Sequence, residues 1–278
     1  MNAPLSVPRY VSVAYEQAVY GSFPFWDQGY AILAQSPGCR SEWLADFRAA
    51  CQRYGERPPG AAESSALFCL KLASGPWAIV GVFPQGRDDA GRPGALAFHG
   101  LFLKGSDYRR AGATPFAFRS ALHDHWTAEI RELPQGRHFV PFLRSAESDI
   151  ECSHNREAQV IARAIARGRR VRVESPAPID LLAQRVWTLL PPKVKGRASL
   201  ATWTFSIANG HDLAALPRVH PNLLEPLGVD LATLLAEAPI DDQLNASFAY
   251  PLVQRLFWSG LALVGLTVLI LTWLKRVG

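Results

Sequence analysis

His123-Asp124-His125, with Glu129 four residues beyond His125, is the group whose residue types best fit chemistry. Imidazole nitrogens and carboxylates bind transition metals and move protons near neutral pH. On a helix, His125 and Glu129 share a face, while His123 points elsewhere. No third ligand stands at a metal-binding spacing, although His99 or His138 could arrive through the fold. The plainer alternative is a solvated helix surface, and neither a metal nor another cofactor is expected. His99 lies inside the apolar run AFHGLFL, where a lone histidine is more often a satisfied core or edge residue than a catalyst. It is still the best single candidate for a functional polar group, because burial would shift its proton affinity. The chain carries no Gly-x-Ser-x-Gly nucleophile turn and no Gly-x-x-x-x-Gly-Lys-Ser/Thr phosphate loop.

Two further clusters fit recognition better than catalysis. Arg163, Arg167, Arg169, Arg170 and Arg172 could meet phosphate, lipid headgroups or an acidic partner. The alternative is that they complement a helix C-terminus and coat the outer face of a strand. Phe23-Pro24-Phe25-Trp26 is an aromatic loop that either staples the sheet or forms a partner-binding surface through Phe23, Phe25 and Trp26.

The elements that must position these groups follow from periodicity and turn residues. Strands are expected over 11–20 and 29–34, then a helix over 41–54 with Trp43, Leu44, Phe47, Ala50 and Cys51 on one face. A three-strand meander over 66–73, 77–83 and 96–103 follows, with residues 84–94 as an exposed hairpin loop. Residues 116–133 read as a helix with Leu122, Trp126, Ile130 and Leu133 inward, and residues 145–155 as a polar link. Beyond it come a helix over 155–167 closed by Gly168 and a strand over 169–174 in which Val171 and Val173 alternate with charged neighbours. A helix opened by Pro178 and closed by Pro191-Pro192, a strand over 200–207 and a short helix over 229–236 complete the set. The expected fold class is α+β, a mixed, mainly antiparallel sheet with packed helices and one C-terminal transmembrane helix.

That last helix is the clearest feature of the chain. Leu256 to Leu274 reads LFWSGLALVGLTVLILTWL without a charge, and as a helix it spans roughly 28 Å, close to a bilayer's hydrocarbon core. Trp258 and Trp273 stand near its two ends, where indole rings favour the headgroup boundary. Among 278 residues the four cysteines form no CxxC pair, and the N-terminus has no basic start followed by an apolar run. These point to a reducing compartment, hence to a cytoplasmic domain on a single-pass C-terminal membrane anchor. Lys275 and Arg276 outnumber Arg255 across the span and nominally argue the reverse orientation. The net charge of +5 suits an anionic leaflet and is too small to indicate nucleic acid.

YEQAVYGS at 15–22 and GYAILAQS at 29–36 resemble the opening of the GTPase-associated protein N-terminal domain of bacterial conflict systems. They look more similar still to planctomycete-type membrane-anchored proteins with this opening. The strand containing His99, the helix end VWTLLP at 186–191 and the Thr202-Trp203-Thr204 segment extend the resemblance over 13–217. It implies a cytoplasmic module that adapts or senses beside a GTPase or other NTPase, and it carries no catalytic residues across. The chain departs from larger family members in having only a short segment and the membrane helix after the module, which puts a direct GTPase partnership in question. The expected organisation is an N-terminal α+β part at 1–150, an α-β-α second half of the same module at 151–217, a juxtamembrane segment at 218–254 and the membrane helix at 255–276. The expected function is a non-enzymatic, membrane-tethered adaptor or sensor. The alternatives are a hydrolase or metal-dependent enzyme using His99 or the His123/His125/Glu129 group, and a lipid-surface binder using the arginines.

Overall fold

The computed structural model describes residues 10–25, 28–127, 129–130, 132–141, 156–219 and 228–237. The chain divides into two units after Glu237. The second, residues 238–278, lies outside the described residues, as do Trp26, the 145–155 link and the apolar stretch at 256–274. Among the described residues no helix is long and apolar enough to cross a membrane.

The first unit is organised on one mixed sheet. Its N-terminal part is antiparallel: β1 (Tyr10–Gly21), β2 (Ala31–Gln35), β3 (Ala66–Lys71), β4 (Trp77–Arg87) and β5 (Pro93–Leu103) lie in the order β3-β4-β5-β1-β2. β1 is long enough to serve two neighbours on successive stretches. Glu16 to Gly21 pairs with β5, and Tyr10 to Tyr15 pairs with β6 (Gly136–Pro141). The meander is the expected one, but β4 and β5 run past their expected ends, leaving a tight turn closed by Asp88 and Arg92 in place of a long exposed loop.

One face of this sheet receives α1 (Ser41–Gln52). Its Phe47 packs edge-on to Phe102 and Tyr20, with ring centroids 5.3 and 6.5 Å apart. Gly100 lies directly beneath it: a Cβ there would come within 2.7 Å of the Phe47 ring, so the helix sits this low only over a residue without a side chain. Side chains alternate along β5, so Ala97, His99, Leu101 and Leu103 face the other way. On that side lie α2 (Gly105–Arg110), whose Tyr108 stacks on Trp77 at 4.5 Å, and a 3-10 helix at Pro115–Ala121.

The second half adds parallel pairing to the same sheet. α3 (Arg156–Ala166) buries Ala158, Ile161, Ala162 and Ile165 as expected and ends at Gly168, whose φ of +82° suits a helix stop. β7 (Arg170–Glu174), α4 (Asp180–Leu189), the single turn α5 (Pro192–Lys195), β8 (Leu200–Ala201), β9 (Leu213–Leu216), β10 (Gly228–Asp230) and α6 (Leu231–Glu237) follow. The order β10-β7-β9-β8 is parallel throughout, and β8 joins it to β3 by an antiparallel pair. The chain is therefore α+β with a mixed, mostly antiparallel sheet.

Three local expectations are corrected. Residues 116–133 are not one helix: after the 3-10 turn, Leu122 is extended (φ −90°, ψ 133°) and the chain continues as an irregular strap. The strand expected over 200–207 stops at Ala201, because Thr202 and Thr204 turn their hydrogen bonds away from a ladder, to Leu67, Ala215 and Tyr54. Arg172, expected on an exposed strand face, is 2% exposed, because β7 has a strand on each side and is covered on both faces at this position.

Candidate functional site

His99 is fully buried, and both of its ring nitrogens are engaged. The backbone N–H of His123 donates to Nδ1 at 3.0 Å, which leaves the proton on Nε2, and Nε2 donates to Gln17 Oε1 at 2.9 Å. The Gln17 amide nitrogen in turn donates to the Pro134 carbonyl at 2.8 Å. Three strand and strap segments are thus tied through one neutral imidazole. Burial, with His123 alongside, pushes its pKa down to about 3. The Trp126 ring stands edge-on at 5.0 Å and the His123 ring stacks at 5.7 Å.

The strap explains where the other histidines go. Leu133 N–H donates to the Gln35 carbonyl, and Gln35 bridges to Glu132, so residues 122–135 run along the β2 edge. Trp126, Ile130 and Leu133 do face inward, against Val19, Phe23, Leu33, Ala34 and Ala97, but along an irregular path. Without the helix, His125 and Glu129 no longer share a face: His125 is 96% exposed beside Asp124, and Glu129 is exposed. His138 is engaged elsewhere, with Nε2 at 2.7 Å from the Ala117 carbonyl. No group of three His, Cys, Asp or Glu among the described residues comes together as a ligand set.

The aromatic loop divides in two. Phe23 is 1% exposed inside the core beneath the strap, and Phe25 stacks on it at 5.3 Å while staying 39% exposed. The arginines are scattered in the same way. Arg167 is exposed at the end of α3, Arg169 pairs with Glu237 at 3.0 Å, and Arg163 and Arg170 are half-buried. Arg172 cannot face lipid at all. Its Nη1 donates to the His211 carbonyl at 2.6 Å, and its Nη2 has no partner. Burial and the nearby Arg170 lower its pKa to about 10. His211 above it is buried with neither ring nitrogen bonded, and burial together with Arg172 and Arg170 holds its pKa down near about 3.

Among the described residues two cavities of similar volume stand out, one beside the strap at Glu16 and Glu132 and a more enclosed one on the α1 face, which contains none of these groups. The latter is a cleft of about 430 Å³ between the end of α1 and the β4–β5 turn. Tyr20, Tyr30 and Phe98 form an aromatic wall, with Tyr20 5.7 Å from Tyr30 and 6.0 Å from Phe98. Tyr30 is fixed because its hydroxyl oxygen accepts from Leu96 N–H at 3.1 Å. The polar side is supplied by Arg57, Glu56 and the Asp88–Arg92 pair, in which Asp88 accepts from the Arg92 backbone at 2.7 Å and from Nε at 2.6 Å. Sequence reasoning missed this cleft: Arg57 stands in a proline-containing loop and Arg92 in a hairpin turn, and no spacing links them to Tyr20 or Tyr30. No family model, curated protein or solved structure matches the chain.

Proposed function

We propose that this chain is a non-enzymatic adaptor or sensor module, tethered to the bacterial cytoplasmic membrane by residues 256–274 and exposing its folded unit to cytoplasmic partners. The observation that carries this reading is the dispersal of the candidate catalytic groups. His99 is spent on holding the strap, His125 and Glu129 are exposed on it, and the cleft contains none of them. An enzyme built on these residues would bring them into one concavity. What lines the cleft is a set of aromatic, guanidinium and carboxylate groups suited to recognition. The resemblance of residues 15–36 to the GTPase-associated domain supports the same reading and suggests an NTPase as partner.

The test is affinity capture from native membranes solubilised in detergent, using the full-length chain and a chain ending at residue 254. The expected result is recovery of the same NTPase with both, since the partner surface belongs to the folded unit. Recovery of no stable protein partner with either form would overturn the adaptor reading.

A further inference from the structure

Arg57 is a largely buried guanidinium with bonding capacity left over. Its side chain is 12% exposed, and Nη2 donates to Glu63 at 2.8 Å. Its Nη1 is buried without any hydrogen-bond partner. A donor left in this state is costly to the fold, the more so on a charged group. The carboxylate of Asp88, which also lines the cleft, is already occupied by Arg92 through both oxygens. Arg92 is itself exposed, with only its Nε used by Asp88, so a second guanidinium stands at the rim of the same cleft.

The remaining wall dictates the body of the ligand. Tyr20 presents its ring tilted against both neighbours, 5.7 Å from Tyr30 and 6.0 Å from Phe98, an arrangement that favours a planar aromatic ring over an aliphatic chain. The Tyr30 oxygen already accepts from Leu96, which leaves its O–H as a donor toward an incoming acceptor. At about 430 Å³ the cleft lies in the lower part of the ligand-pocket range and holds one or two fused rings with a short side chain.

We propose that this cleft binds a small aromatic carboxylate, with its ring against Tyr20, Tyr30 and Phe98 and its carboxylate on Arg57 and Arg92. A carboxylate is the acceptor that gains most from a guanidinium, and it satisfies the nitrogen that the fold leaves unbonded. This inference rests on the reading of the chain as a binding module and supplies the sensor with its ligand class.

The experiment is titration calorimetry on the full-length chain in lipid nanodiscs, with 4-hydroxyphenylacetate and indole-3-acetate as probes. The amide of the first and cyclohexylacetate are the controls. Saturable one-site binding of the aromatic acids is expected, weaker by about tenfold or more for the amide and for cyclohexylacetate. Arg57→Met lowers affinity for the acid about tenfold while leaving the amide unchanged. Tyr30→Ala, at a partly exposed position whose truncation spares the core, weakens every aromatic probe. Absence of saturable binding at millimolar probe, or equal affinity in the native chain and both variants, overturns the ligand class. Mass spectrometry of the probe after incubation separates the two readings. An intact probe keeps the chain a binding module, whereas conversion of a probe that binds in an Arg57-dependent way overturns that module reading and leaves the ligand class standing.

Discussion

His99 and His211 are both buried and neutral, but they reach that state by different routes. His99 has each nitrogen in a hydrogen bond, so the fold recovers much of what desolvation costs. His211 has neither nitrogen bonded and sits beside a buried cation. Its ring lies 5.9 Å from Phe68, in a setting that an apolar ring would fill. His211→Phe should therefore raise unfolding stability by about 1–2 kcal/mol in urea titration, because it removes unpaired polar atoms while the backbone carbonyl used by Arg172 stays in place. A loss of stability would show that the imidazole nitrogens are bonded in solution. The two histidines also set a pH dependence. Their folded pKa values are both held down to about 3, against an ordinary value of 6.5. Between these limits the unfolded chain binds more protons than the folded one, so stability is full above about pH 6.5 and is lost as pH falls toward 3. In His211→Phe one of the two titrations is gone, and the slope of stability against pH across that window should fall by up to one proton's worth, about 1.4 kcal/mol per pH unit.

At the scale of elements, the strap at 122–135 is the part whose place depends on a single side chain. Among its described residues it forms no regular hydrogen-bond ladder of its own, and it is held by the His123 N–H to His99, by Gln17 to Pro134 and by Leu133 to Gln35. His99→Ala removes the first bond and leaves the Gln17 carbonyl without its donor. We expect a loss of about 2–4 kcal/mol and faster hydrogen exchange confined to the strap and the adjoining β2, read by mass spectrometry. Uniform exchange across the sheet would argue against this local role. The strap also shows where sequence reading stops. Leu122, Trp126, Ile130 and Leu133 have helical spacing, and all four do turn inward. The helix fails because the backbone N–H of His123 bonds to a ring nitrogen 24 residues away, a competitor that no local pattern reveals. β1, α1, α3 and the β3–β5 meander were legible because each carries its own apolar period. β9 and β10 were not: LAAL and GVD are too short to show one, and they become strands only by pairing with β7. The cleft is illegible for the same reason, since its walls come from β1, the end of α1 and the β4–β5 turn.

For the whole molecule, the folded unit and the apolar tail make separable demands. Deleting residues 255–278 should move the protein from the membrane pellet to the supernatant after carbonate extraction, with an unchanged thermal melting temperature for the folded unit. A deleted chain that stays in the pellet would mean that another surface holds it to lipid. The folded unit itself is closed by contacts between segments far apart in the sequence. β8 pairs its Leu200 and Ala201 with Cys69 and Phe68 of β3, and the Leu67 N–H donates to Thr202 Oγ1 at 3.0 Å across 135 residues. On a translating ribosome, then, the β3–β4–β5 meander emerges with one apolar strand edge open. At about 5–20 residues per second, that edge waits roughly 5–19 seconds for the segment that covers it. A nascent chain stalled anywhere between β5 and β8 carries an uncapped strand, which is a template for pairing with another copy on the same polysome.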